Sequence, residues 1–224
     1  MSAEQKHRAS DVYGIGRDLP LNYVSRKAVD DYFLTNLTRD KHIIIYGSSK
    51  QGKTSLRKNC LSEDDYIVVH CSNKWTIGDL NSAILKRAGF EVTQSTTKTT
   101  AGRNKILAVF KATLFGVGTE ATGEKELTNS DAITKRPLEL DPEDVNDIIG
   151  ALKKFSKYIV LEDFHYLPID AQKDFSVALK AFHEQSSLCF IIVGVWLEEG
   201  RLTVYNGDLT PRRQTSLPTI LTDC

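Results

Sequence analysis

The segment from Gly47 to Thr54 combines residue types that can hold a polyphosphate. Its sequence, GSSKQGKT, matches the pattern G-x-x-x-x-G-K-[ST] at every fixed position. Its glycines let main-chain N–H groups turn inward, the Lys53 ammonium can reach between two phosphates, and the Thr54 hydroxyl can ligate Mg²⁺. We therefore expect a nucleoside triphosphate with Mg²⁺ to bind here. The candidate binding residues are Gly47, Ser48, Ser49, Lys50, Gln51, Gly52, Lys53, Thr54 and Ser55.

A pair of acids follows another apolar run, Tyr158-Ile159-Val160-Leu161. Such a run predicts a buried strand, and an acid at its end can hold the water shell of a metal ion beside a phosphate loop. Glu162 is the predicted metal-side acid, acting through water. A surface turn, where acids are common, is the alternative. His165 follows closely, and its role stays open between a contact to the γ-phosphate and a structural one.

Four short runs rich in β-branched residues show no polar alternation, which is typical of strands buried on both faces in a parallel sheet. They are 42–46, 66–70, 158–161 and 189–193. Helical patterns separate them, so the sequence predicts an α/β fold with a mostly parallel sheet.

The helices are marked by caps and apolar spacing. One begins near Ser25, one runs from Thr76 to Gly89, one begins at Asp141 with an apolar face reaching Phe155, and one follows Pro168. Residues 91–139 interrupt this rhythm and predict an insertion, in which Asn104–Phe115 forms an amphipathic helix. We expect an N-terminal segment at 1–40, a core at 41–210 and a tail at 211–224.

Composition excludes several classes of protein. The 224 residues carry 29 Lys and Arg against 29 Asp and Glu, so no basic footprint for nucleic acid covers the whole chain. The longest apolar run, 188–197, is about half of a membrane span, and residues 1–10 contain no apolar stretch for a signal peptide. The four cysteines lack metal-ligand or redox spacing. These features predict a cytoplasmic protein with free thiols and no membrane contact.

The phosphate loop and the paired acids together resemble the P-loop ATPases of the additional-strand type, particularly the AAA+ and STAND group with its origin-recognition-like members. The resemblance covers roughly residues 13–212. It implies a three-layer core and identifies 158–163 as similar to a Walker B strand, in which Asp163 polarises the attacking water. Both acidic positions carry the less usual carboxylate.

The resemblance also implies ATP as the nucleotide, Tyr13 beside the adenine and Arg212 as an arginine finger toward a neighbouring subunit. A surface role for Arg212 is the alternative. The chain departs from the family at the end of its fourth strand, where Val193-Gly194-Val195-Trp196 offers no polar sensor side chain. We expect the helical lid of this family to be absent or truncated, since the residues after Thr210 are too few to form one; a lid-less ATPase core and a fragment that lacks its lid are the two alternatives.

These expectations favour an ATPase whose catalytic residues are Lys53, Glu162, Asp163 and Arg212 and whose nucleotide state drives a conformational or assembly switch. A homo-oligomer or a partner protein would receive the signal, and a role with DNA or in defence against mobile elements is compatible with the resemblance. A nucleotide-binding switch with little hydrolysis is the first alternative. A small P-loop kinase is the second, although no arginine-rich lid is recognisable.

Overall fold

The computed structural model describes residues 19, 21, 23–38, 41–110 and 137–196, together with the backbone of Gln214–Pro218. Its strands are β1 (His42–Tyr46), β2 (Tyr66–His70), β3 (Phe90–Lys98), β4 (Asn104–Phe110), β5 (Leu138–Leu140), β6 (Tyr158–Glu162), β7 (Phe190–Val193) and β8 (Gln214–Pro218). Its helices are α1 (Lys27–Asn36), α2 (Lys53–Cys60), α3 (Ile77–Arg87), α4 (Val145–Ala151) and α5 (Ile169–Gln185). The chain divides into two compact units, one formed by residues 1–76 with 155–224 and the other by 77–154.

The first unit contains a five-stranded sheet in the order β2-β6-β7-β1-β8. Every neighbouring pair in it is parallel. The four apolar runs form its first four strands, as predicted. β1, β6 and β7 are buried almost throughout, whereas β2, at the end of the strand order, is buried only at alternate residues, which corrects its predicted burial on both faces. A mixed α/β fold with a parallel sheet is therefore confirmed, and it is consistent with the P-loop NTPase class. β7 separates the strand before the phosphate loop from the strand that ends in the paired acids.

Helices cover both faces of this sheet. On one face, Phe33 of α1 and Leu56 of α2 pack in a cluster with alternate residues of the central strands, among them Ile43 and Ile191. On the other face, Phe175 and Phe182 of α5 contact Phe190, with ring centroids 5.3 and 4.8 Å apart. This double coverage explains why the strand sequences read as continuous apolar runs.

His42 is a polar residue inside this core. It is 1% exposed. Its Nδ1 accepts from the Phe190 N–H at 3.3 Å and its Nε2 lies 3.1 Å from the Leu179 carbonyl oxygen, so the neutral ring donates through Nε2. Burial, with a contribution from the nearby His183 and only partly opposed by the Leu179 carbonyl, lowers the pKa of His42 to about 4. The ring is therefore uncharged in the folded protein at neutral pH.

Acid should destabilise the fold through His42. Because its pKa falls from 6.5 unfolded to about 4 folded, the unfolded chain binds the extra proton first, and stability is lost as the pH drops from 6.5 to 4. The full effect is about 3 kcal/mol. His42→Asn keeps an acceptor for the Phe190 N–H without titrating, so its unfolding free energy should depend less on pH. Urea unfolding at pH 7, 5.5 and 4 measures this; equal pH slopes in both proteins would contradict it.

The second unit contains an antiparallel sheet in the order β3-β4-β5, which corrects the predicted helix at 104–115. Its first part, Asn104–Phe110, is β4, in which Ile106 and Ala108 are buried and the residues between them are less so. Apolar residues at 106, 107, 109 and 110 fit a helical face as well as a strand. The threonine-rich stretch before them is β3, whose many β-branched residues favour an extended chain. Residues 111–136 lie outside the described residues.

The helix predicted from Asp141 to Phe155 begins later and is shorter. Asp141 does not cap it: its carboxylate accepts from the Glu143 N–H at 2.9 Å and its own N–H donates to Asp147. The N-cap is Asp144, which accepts from the Asn146 N–H at 2.9 Å, and the helix ends at Ala151. The sequence contains two aspartates in cap-like positions, and the second one forms the cap.

The segment predicted as a tail contains strand β8. Gln214–Pro218 pairs in parallel with His42–Tyr46 and extends the sheet beyond β1. A short segment with few apolar residues shows no strand pattern in its sequence. Its extended conformation depends on pairing with the buried strand β1. The divisions at residues 40 and 210 and the insertion at 91–139 remain predictions.

Among the residues that the structure describes, no helix is long and apolar enough to span a bilayer.

Candidate functional site

A cavity of about 410 Å³ opens at the carboxyl ends of β1, β6 and β7. Parallel strands end at the same edge of a sheet, so the segments that follow them converge. The cavity is lined by Ser49, Lys50, Gln51, Gly52, Lys53, Thr54, Ser55, Glu162, Asp163, His165, Val193, Gly194 and Val195. The structure thus brings together most of the phosphate loop and both acids, as the sequence predicted they should meet.

The phosphate loop joins β1 directly to α2. Gly52 is the N-cap residue with φ 71°, a left-handed conformation that favours glycine, and Lys50 adopts a similar one with φ 64°. No side chain accepts a hydrogen bond from the first N–H groups of α2 at its N-cap. The loop therefore lines the cavity and leads into the positive N-terminal end of the eight-residue helix α2.

Lys53 is folded back onto its own loop. Lys53 is only 7% exposed, and its Nζ donates to the carbonyl oxygens of Gly47 at 3.1 Å and Ser48 at 2.6 Å. Burial lowers the pKa of Lys53, and the negative charges of Glu162 and Asp163 partly oppose this. Gly47 and Ser48 thus contact the ammonium with their carbonyls and are not part of the cavity wall.

Glu162 is buried at the end of β6, with 4% exposure. Its two oxygens have separate partners. Oε2 accepts from the Thr54 hydroxyl at 3.4 Å, and Oε1 accepts from the Nε–H of Arg57 at 3.1 Å. Glu162 and Thr54 therefore present two hard oxygen donors beside one another in the cavity.

These donors fit Mg²⁺ bound together with a nucleotide. Mg²⁺ is usually held by one or two protein oxygens, with phosphates and water completing its shell. In the described part of the chain, no group of three or more His, Cys, Asp or Glu residues could hold a metal ion. The donor set is thus too small for a cage made of protein alone, and it suits an ion that shares phosphate oxygens.

Asp163 occupies the turn after β6 in a left-handed conformation with φ 59°. Its side chain has a different environment from that of Glu162: its carboxylate is about half exposed, and Oδ2 lies 3.5 Å from Nδ1 of the exposed His70. The neighbouring Cys71 is buried, and burial, together with the charges of Asp163 and Glu162, raises the pKa of its thiol to about 12. Asp163 is therefore the acid that both lines the cavity and reaches water.

The end of β7 forms another wall of the cavity. Gly194 is required there because a Cβ on it would lie 1.6 Å from the Trp196 ring, and Trp196 in turn pairs with Gly47 in an isolated antiparallel bridge. Val193 and Val195 contribute apolar side chains to this wall. A polar group nevertheless reaches it, because Nδ1 of His165 accepts from the Val195 N–H at 3.3 Å. His165 thus has a structural contact and also lines the cavity.

Two contacts that the sequence did not reveal join the N-terminal end of α1 to the phosphate loop and to α2. Arg26 donates through Nη1 to the Gln51 carbonyl at 3.1 Å. The buried Asp30 accepts from the Ser25 and Tyr23 hydroxyls at 2.8 and 3.0 Å, and from Asn59 of α2 at 3.4 Å. Burial and the bond to Asp30 raise the pKa of Tyr23 to about 12. The feature of the sequence that could have indicated these contacts was Asp30, an acid on the apolar side of α1.

Arg57 is a residue beside the cavity that the sequence did not single out. It is 3% exposed and bonded to Glu162. Tyr13 and Arg212 lie outside the described residues.

Comparisons with known proteins concern the fold. No protein-family profile matches the chain, and no curated protein matches it in sequence. A solved structure, the Walker-type ATPase PABY2304 of Pyrococcus abyssi, is similar with a TM-score of 0.51 and 12% identity, covering 92% of this chain and 57% of that protein. The present chain thus spans little more than half of the length of that ATPase. At this identity, the likeness supports a P-loop NTPase-like fold.

Proposed function

We propose that the chain is an ATP-binding module of the additional-strand P-loop class. The observation that carries this proposal is the convergence of Lys53, Thr54, Glu162 and Asp163 on one cavity at the carboxyl edge of a parallel sheet. Two further features support it: the position of β7 between β1 and β6, and the fold likeness to a Walker-type ATPase. The finer assignment to the AAA+ and STAND group rests on the sequence resemblance.

In this proposal, each group has a distinct task. The first N–H groups of α2 and the loop hold the β-phosphate, and Lys53 exchanges its contacts with the loop carbonyls for phosphate oxygens. Thr54 and Glu162 would hold Mg²⁺, which when bound neutralises part of the phosphate charge. Asp163 accepts a hydrogen bond from the attacking water and orients it toward the γ-phosphate. Transfer to water would give ADP and phosphate.

We further propose that the nucleotide state acts on an assembly or a conformation. Gly47 of the phosphate loop is bridged to Trp196, and His165 is bonded to the Val195 N–H, so a change at the phosphates reaches the end of β7 directly. A second copy of the chain or a partner protein would receive this change, with Arg212 as the candidate contact to a neighbouring site.

A binding switch with little turnover is the second candidate. One observation favours it: the cavity wall at the end of β7 offers the apolar side chains of Val193 and Val195 where a polar group would otherwise contact the terminal phosphate. In that case, ATP and ADP would bind tightly and phosphate release would be slow.

Calorimetric titration with ATP, ADP and AMP, with and without Mg²⁺, tests the common part of both candidates. We expect ATP and ADP to bind and AMP to bind at least about 100-fold more weakly, because AMP lacks the β-phosphate that the loop amides hold. Equal affinity for all three nucleotides would overturn the proposal. Phosphate release under single-turnover conditions then separates the ATPase from the binding switch.

A further inference from the structure

The two oxygens of Glu162 face different chemical partners. Oε1 is paired with Arg57 at 3.1 Å, and both side chains are almost fully buried, with 4% and 6% exposure for Arg57 and Glu162. Oε2 faces the Thr54 hydroxyl at the cavity. A buried carboxylate is costly unless a cation compensates it, and Arg57 supplies that cation permanently.

Arg57 is held so that it cannot leave Glu162 readily. Its guanidinium carbon lies 4.5 Å from the centroid of the Tyr66 ring, a cation–π arrangement, and its Nη1 is buried with no hydrogen-bond partner among the described residues. A rotation away from Glu162 would leave a buried charge unpaired on each side. The pair is thus a fixed part of the site.

The charges around the cavity do not favour a cation before any ligand enters. Lys50, Lys53 and Arg57 carry three positive charges, and Glu162 and Asp163 carry two negative ones, with Asp163 about half exposed to water. A divalent cation that approaches Oε2 therefore meets a neutralised carboxylate and a nearby ammonium. Only the negative charge of a polyphosphate changes this balance in favour of the metal.

We infer that Arg57 makes divalent-cation binding depend on the nucleotide. It is a positioning residue: it holds Glu162 in place and prevents this acid from binding a metal ion when no nucleotide is present. This inference rests on the proposed function, because the ligand that restores metal binding is the nucleotide. It predicts that the metal enters together with the polyphosphate and that loss of Arg57 raises the affinity of the nucleotide-free protein for a divalent cation.

Titration of the full chain with Mn²⁺, followed by electron paramagnetic resonance of the free ion, tests this without nucleotide or turnover. Mn²⁺ takes the same oxygen ligands as Mg²⁺. We expect the natural chain to bind Mn²⁺ weakly and Arg57→Met to bind it at least about 10-fold more tightly. Lys58→Met removes a charge from the next residue of α2 and should behave like the natural chain. Adding Glu162→Gln to Arg57→Met should abolish the gain.

Equal Mn²⁺ affinity in the natural chain and folded Arg57→Met, as judged by circular dichroism, would overturn the inference. So would tight Mn²⁺ binding by the natural chain that Glu162→Gln removes, and this result decides the matter even where Arg57→Met fails to fold. Adding ADP to the natural chain should raise its Mn²⁺ affinity at least about 10-fold. A chain that binds no nucleotide fails the proposed function, whereas the nucleotide-free comparison still tests Arg57.

Discussion

Replacing Asp163 by Asn should lower ATP turnover by about 10²–10⁴-fold and leave ATP binding nearly unchanged. The carboxylate lines the cavity and is about half exposed, so it can accept a proton or a hydrogen bond from water, which an amide does far less well. Asn also tolerates the left-handed backbone that this residue adopts, so the fold should be preserved. Phosphate release in a single turnover, beside calorimetric ATP binding, measures the two effects separately.

Asp170→Asn is the matched control for this substitution. Asp170 lies at the start of α5 with its side chain 95% exposed, so the same loss of charge there should leave turnover unchanged. His70→Ala removes the exposed partner of Asp163 and should change turnover much less than Asp163→Asn does. Undiminished turnover in Asp163→Asn would show that another group orients the water.

Lys53→Ala should weaken ATP binding by about 100-fold, which corresponds to about 3 kcal/mol for losing a charged hydrogen-bond donor to phosphate. The ammonium of Lys53 already lies within the phosphate loop, where it is bonded to the Gly47 and Ser48 carbonyls. Because its burial lowers its own pKa, the folded protein gains little from the charge and should tolerate the change. Calorimetric titration with ATP and Mg²⁺ measures the loss, and thermal unfolding checks the fold.

Lys50→Asn controls for the general loss of positive charge from the same loop. Lys50 is exposed and has a left-handed backbone, which Asn accepts without strain. We expect its ATP affinity to fall by less than about 10-fold, since an exposed lysine contributes little to binding. Equal losses in Lys50→Asn and Lys53→Ala would mean that charge alone, and not the position inside the loop, determines affinity.

The features that the sequence predicted correctly are those carried by adjacent residues. The runs before Gly47 and Glu162 form buried strands, and the loop motif lies between a strand and a helix. Backbone geometry and burial on both faces restrict such segments strongly, so short stretches suffice to recognise them. The phosphate-loop motif calls for an acid at the end of another buried strand, and Glu162 is in that position, within reach of Thr54.

The features that it missed depend on distant partners. Arg57 looked like a solvated cation on a helix, and only its meeting with Glu162, 105 positions later, makes it part of the site. Likewise, the contact between His165 and Val195 spans 30 positions and joins a turn to a strand end. The apolar pattern of residues 104–110 fits the period of a helix and that of a strand equally well. The pairing of β4 with β3 and β5 determines the extended form. No local pattern encodes such choices.

The position of β1 in the sheet has a consequence for synthesis on the ribosome. Its two neighbours are β7 and β8, and the contact between His42 and Phe190 spans 148 positions of the chain. The apolar segment Ile43-Ile44-Ile45 must therefore leave the exit tunnel long before either partner strand exists. Nascent chains of this kind expose unpaired edges that aggregate easily, so we expect productive folding in the cell to rely on chaperones until residues near Val193 have emerged.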